Sequence, residues 1–194
     1  MTGVYGAFVE PLGDCWEYLT LVFSPLTVPL SERWRTNSIS ANFMADYVTH
    51  LFPGGQWPLL LSYGLADLHG AVNYIVNELL ENAMKFCTPD STSPVIISLE
   101  IYPEQLIFRV ENAISPDSAE RLQKVIGQLL SHSPQELYLQ KLEANAVEDD
   151  PGSGLGYLTI LNDYQAHLGW KILPGIPDWR VTTVVQLSHP RGER

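Results

Sequence analysis

From Leu68 to Phe86, apolar residues recur in steps of three and four: Leu68, Val72, Ile75, Val76, Leu79, Ala83 and Phe86. That period describes a helix with one face to bury, and it predicts a helix over about 64–86. A helix of this length needs a wide apolar layer to lie on. Short runs rich in aromatic and β-branched residues supply it: 16–23, 95–101, 106–110, 170–173 and 180–187 each read as a strand.

The remaining segments follow the same logic. Leu30-Ser31-Glu32 starts a helix, with Ser31 as N-cap and Trp34, Ile39, Phe43, Tyr47, Val48 and Leu51 as its buried face. Pro53-Gly54-Gly55 stops that helix, and Trp57-Pro-Leu-Leu-Leu reads as a short apolar linker. Tyr-Pro-Glu-Gln at 102–105 joins two strands into a hairpin. Ser115-Pro116 and Ser133-Pro134 each open a helix. A last helix, about 155–167, is stopped by Gly169, and Pro174-Gly-Ile-Pro-Asp connects the final two strands. The expected order is strand, two helices, hairpin, two helices, helix, hairpin. This is an α+β chain, a two-layer sandwich with a mixed, largely antiparallel sheet and helices on one face.

With 194 residues the chain is expected to form one domain: a strand-helix extension over 1–60 and a core over 61–190. A formal net charge of −11 opposes binding along a nucleic-acid backbone, which needs a basic field. No apolar run reaches the roughly 20 residues of a bilayer span. Met1-Thr-Gly-Val-Tyr-Gly lacks a basic segment followed by an apolar one, so no signal peptide is expected. Cys15 and Cys87 have neither metal-ligand spacing nor the pattern of a disulfide framework. These features predict a cytoplasmic protein that binds neither nucleic acid nor membrane.

Chemistry concentrates in two stretches. On the long helix, Glu78 and Asn82 lie four residues apart and Lys85 three further on, so the three share one side. A carboxylate, a carboxamide and an ammonium can orient a hydroxyl, coordinate a hard cation and meet a phosphate. The same spacing also describes a polar surface face. Glu81 is off the Glu78 side and is expected in solvent. The second stretch, Gly152-Ser-Gly154-Leu155-Gly156, opens a helix and lets backbone N–H groups approach an anion. A tight turn into a helix needs the same glycines. No strand leads into it and no Gly-Lys-Ser/Thr follows, so neither a dinucleotide fold nor a phosphate loop is indicated.

Together the two stretches resemble the ATP-binding domain shared by histidine kinases, type II topoisomerases, certain ATP-dependent chaperones and anti-sigma-factor kinases, the GHKL superfamily. Its Glu-x-x-x-Asn-x-x-Lys/His box is matched by Glu78, Asn82 and Lys85, and its Gly-x-Gly-Leu-Gly box by 152–156. The likeness covers about 68–188 and implies a Bergerat-type fold. It implies ATP and Mg²⁺ as cofactors, with Asn82 on the metal, Glu78 as general base and Lys85 on a phosphate. It also implies that Gly152, Gly154, Leu155 and Gly156 cradle the phosphates, that 116–151 is a lid, and that Thr182 lies near the adenine. Where the superfamily carries Asp-x-Gly-x-Gly, this chain has Val110-Glu111-Asn112-Ala113-Ile114-Ser115, with neither aspartate nor glycine. Asn112 is then the group that meets the adenine amino group, as a neutral acceptor.

His50 and His69 lack the acidic neighbour of a phosphoacceptor histidine, and the chain is short for a transducer domain. The resemblance therefore narrows to stand-alone, SiaB-like or anti-sigma-factor serine/threonine kinases of bacterial partner-switching systems. Those phosphorylate a Ser or Thr of a small STAS-like antagonist protein. A non-catalytic module of the same fold, acting by binding a partner, is the alternative that the altered adenine box favours. Arg33, Trp34 and Arg35 form either a partner or homodimer contact, or an ordinary helix face with Trp34 buried.

Overall fold

The computed structural model describes residues 3–26, 34–51, 57–88, 91–145 and 155–188, with the side chains of 34, 35 and 142–145 excepted. Six strands, β1 (Gly3–Gly6), β2 (Glu17–Phe23), β3 (Val95–Ile101), β4 (Gln105–Ile114), β5 (His167–Leu173) and β6 (Trp179–Ser188), form one sheet. Their order is β1-β5-β6-β4-β3-β2. Every neighbouring pair is antiparallel, so the sheet is not mixed as the sequence suggested. The two N-terminal strands form its edges: β1 pairs with β5 and β2 with β3, which builds the expected extension into the sheet itself.

The helices are α1 (Trp34–Leu51), α2 (Pro58–Tyr63), α3 (Leu65–Phe86), α4 (Pro116–Ser131), α5 (Pro134–Asn145) and α6 (Leu155–Asn162). Helix α3 buries Leu68, Val72, Ile75, Val76, Leu79 and Ala83 as its spacing predicts, and Ala71, Leu80 and Met84 besides. These join Ile97, Leu99, Leu106, Phe108 and Val110 of the central strands in the main core. Burying an aliphatic side chain of this size stabilises the fold by about 1.5–3 kcal/mol, so this contact anchors the helix layer. Phe86 departs from the stripe and is 46% exposed. Helix α4 starts as predicted: Ser115 Oγ accepts the Ser118 N–H at 3.1 Å, with Pro116 in the first turn.

Four readings change. Helix α1 buries its small face, Ala41, Met44, Ala45 and Val48, and leaves Ile39 and Phe43 exposed. Close packing on α3 selects small side chains there, while Asn42 and Asp46 reach Asn73 and His69 at 2.6 and 3.0 Å. The expected linker after Trp57 is helix α2, and Trp57 is itself buried, its indole N–H donating to the Tyr102 carbonyl at 3.1 Å. Helix α6 ends at Asn162 rather than near 167, after which Gln165 takes a left-handed turn (φ 50°). Gly169 therefore caps no helix; it lies inside β5, where a side chain would collide with the backbone of Ala7 and Phe8. The N-cap Ser31, the stop at 53–55 and the acidic run 148–150 fall outside the described residues.

Residues 7–15 run across the sheet face opposite the core, where Phe8, Val9 and Cys15 pack on Tyr102, Ile107 and Val184. Arg109 ties this crossing down: Nη1 donates to the Val9 carbonyl at 2.6 Å and Nε to Glu100 Oε1 at 2.8 Å. The Tyr102 hydroxyl donates to the other Glu100 oxygen at 2.8 Å.

Candidate functional site

The C-terminal half of α3 borders a cavity of about 680 Å³, and Glu78, Asn82 and Lys85 all line it. Their alignment follows from helical spacing: the opposite side of α3 is held by the core, so the polar side is turned to the cavity. Gly156 at the start of α6 and Asn112 near the end of β4 line the same space. Five residues separated by up to 78 positions in the chain, from 78 to 156, thus converge on one cavity.

Glu78 is half-buried, and burial, with the nearby charge of Glu81 second, raises its carboxyl above the usual glutamate range. A raised pKa makes the ionised form a stronger base. Glu81 is exposed, as expected, yet it also borders the cavity. The Glu78 carboxylate lies directly over Gly156, with no room for a side chain there. Lys85 is exposed at the rim, its ammonium 5.5 Å from the centre of the Phe86 ring. Asn112 is only 5% exposed, and its amide N–H donates to the Ala113 carbonyl at 3.3 Å. That bond leaves the carboxamide oxygen to accept from a ligand.

Two of the expected site residues do not line this cavity. Thr182 is not brought to the cavity; alternate residues of a strand face opposite sides, and Thr183 is the one that lines it. Thr182 pairs across the sheet with Glu111 and Lys171 instead. Leu155 packs half-buried against the main core and does not line the cavity. Gly152 and Gly154 fall outside the described residues.

Three polar residues on the walls went unnoticed in the sequence. Ser118 and Arg121 of α4 face the cavity beside Leu122 and Val125, and Lys141 of α5 lines it as well. Burial lowers the Lys141 ammonium below the usual lysine range. A basic residue bordering the apolar stripe of a helix is the signal that would have marked Arg121. Behind Gly156, Tyr157 meets Trp170 edge-on, with ring centroids 5.7 Å apart, and burial pushes its hydroxyl up. Among the described residues, no group of three or more His, Cys, Asp or Glu side chains could hold a metal ion unaided. No described helix is long and apolar enough to cross a membrane.

No protein-family profile matches the chain, and no curated protein sequence matches it either. The cavity brings together Glu78, Asn82 and Lys85 of α3, the buried carboxamide of Asn112 on β4, and the basic Arg121 and Lys141 of α4 and α5.

Proposed function

We propose that this chain is an ATP-binding, serine/threonine protein kinase-like regulator of the partner-switching kind. One observation carries this: Glu78, Asn82, Lys85, Asn112 and Gly156 line the same cavity. Its volume of about 680 Å³ lies within the roughly 300–1,000 Å³ usual for small-molecule sites. The hard carboxamide oxygen of Asn82 suits Mg²⁺, which normally takes few protein ligands and keeps water and phosphate oxygens for the rest.

When bound, ATP with Mg²⁺ supplies the transferable phosphoryl group and the cation that offsets its charge. This chain's own residues do the rest. Asn112, itself buried, would accept from the exocyclic amino group of the base, where the lower local dielectric strengthens that hydrogen bond. Lys85, Arg121 and Lys141 give the phosphate end positive charge from three separate helices. Glu78, made more basic by burial, takes the proton of a Ser or Thr hydroxyl on a small STAS-like partner protein.

The test is titration of the purified protein with ATP and Mg²⁺, wild type beside Asn82→Ala. Saturable binding that the variant loses is expected, and no binding by wild type at millimolar nucleotide would remove the proposal. A second reading, a binding module without phosphoryl transfer, is favoured by one feature. Residues 110–114 continue strand β4 and Ser115 caps α4, so this stretch does not form the glycine loop that Asp-x-Gly-x-Gly would supply. Transfer of phosphate to a protein partner, abolished by Glu78→Ala, separates the two.

A further inference from the structure

Strand β2 is the long outer edge of the sheet, and among the described residues nothing pairs with its free side. The opposite edge, β1, is only four residues long and glycine-bounded. Proteins normally blunt a free edge with lysine, proline, a bulge or shortness. Strand β2 has none of these: its seven residues are Glu-Tyr-Leu-Thr-Leu-Val-Phe, in unbroken register with β3 from Glu17 opposite Ile101 to Phe23 opposite Val95. On its outer face Tyr18 is 66% and Val22 60% exposed. A regular edge whose one charge sits at its first residue, flanked by exposed aromatic and β-branched side chains, is a template for another strand.

We propose that the occupant is a second copy of this chain, its β2 running antiparallel to the first about a two-fold axis at Thr20. The strand is self-complementary in that register. Tyr18 of each copy sits beside Val22 of the other, an aromatic–β-branched pair of the favourable kind. On the other face Leu19 meets Leu21, both half-buried in the single chain. Glu17, the only charged residue of β2, meets Phe23 rather than a second carboxylate. This matters because each copy carries a net charge of −11 and the two repel at long range. With no carboxylate facing another across the paired strands, short-range pairing can act against that repulsion, and added salt screens it, so association tightens as salt rises.

The test is the molar mass in solution by light scattering, between about 1 and 100 μM protein, for wild type, Tyr18→Lys, Val22→Glu and the double variant. Both positions are exposed, so the far-ultraviolet circular dichroism of each variant should match wild type. A wild-type dimer is expected, weakened about tenfold or more by either single change. Combining them gives each new ammonium a carboxylate on the facing strand, and the double variant should recover to within about threefold of wild type. A monomeric wild type throughout overturns the proposal, as do single variants that dimerise like wild type. Failure of the double variant to recover overturns the register.

Discussion

Gly156 lies beneath the Glu78 carboxylate, so close that a methyl group at 156 would overlap Glu78 Oε2 and sit 2.7 Å from Cδ. The obstruction is the free end of a flexible side chain rather than backbone, so the carboxylate can swing aside. Gly156→Ala should therefore keep the fold, and alanine suits the helix better than glycine by about 0.5–1 kcal/mol. What changes is the aim of Glu78. Thermal unfolding within a few degrees of wild type, with phosphoryl transfer reduced toward the level of Glu78→Ala, is the expected pair of results. A variant that unfolds outright would mean the contact is structural.

Glu78 also sets a pH dependence. Burial, then Glu81, raises its pKa in the folded state above the unfolded value. Between those two values the folded chain binds more protons, so this group's contribution falls as pH rises through the raised pKa. Glu78→Gln removes that cost. The variant should be more stable than wild type at neutral pH, and the gain should vanish below the ordinary glutamate range, about pH 4. Urea unfolding at the two pH values measures it. Glu81→Gln, which removes the second cause only, should show a smaller gain of the same sign.

Most of this frame could be read in the sequence where one period dominates. The stripe of α3 and the alternating strands β3, β4 and β6 announced themselves because each packs one regular face into the core. Helix α1 misled because its bulky residues are outside: the close approach of α3 selects Ala41 and Ala45, which carry little hydrophobic signal. Strand β1 was missed because four residues with two glycines have no pattern, and only pairing with β5 makes them a strand. Gly169 was misread for a similar reason, since the chain that crowds it, at 7 and 8, lies about 160 residues away in sequence. In the site, helical spacing placed Glu78, Asn82 and Lys85, whereas Thr182 came only from the resemblance and strand alternation brings Thr183 to the cavity instead.

That exchange can be tested directly. Thr183→Val keeps the shape of a buried side chain and removes its hydroxyl, whereas Thr182→Val acts on the other face of β6. One hydrogen bond is worth about 0.5–1.5 kcal/mol, so the Thr183 change should weaken nucleotide binding by about 2- to 12-fold. The Thr182 change should leave it within about twofold. Calorimetric titration of both proteins decides the phase, and the reverse ranking would restore Thr182 to the site.

On the far face, stability rests on an ion pair. Arg109 and Glu100 are 2.8 Å apart with side chains each only 11% exposed, and Arg109 alone also holds the Val9 carbonyl. Removing one partner leaves a buried charge uncompensated, at a cost of about 3–5 kcal/mol. Arg109→Met should therefore destabilise strongly and free the segment 7–15, read by faster amide exchange there. Replacing both, as Arg109→Met with Glu100→Gln, leaves no buried charge and should recover most of the loss. Tyr102 gives a second reading of the same pair. Burial first, then the bond to Glu100, pushes its hydroxyl up to about 12 in the intact protein. With Glu100→Gln the bond to a charged acceptor is gone, so Tyr102 should ionise at lower pH in an ultraviolet titration. An unchanged Tyr102 titration would separate its ionisation from Glu100 and leave burial as the main cause.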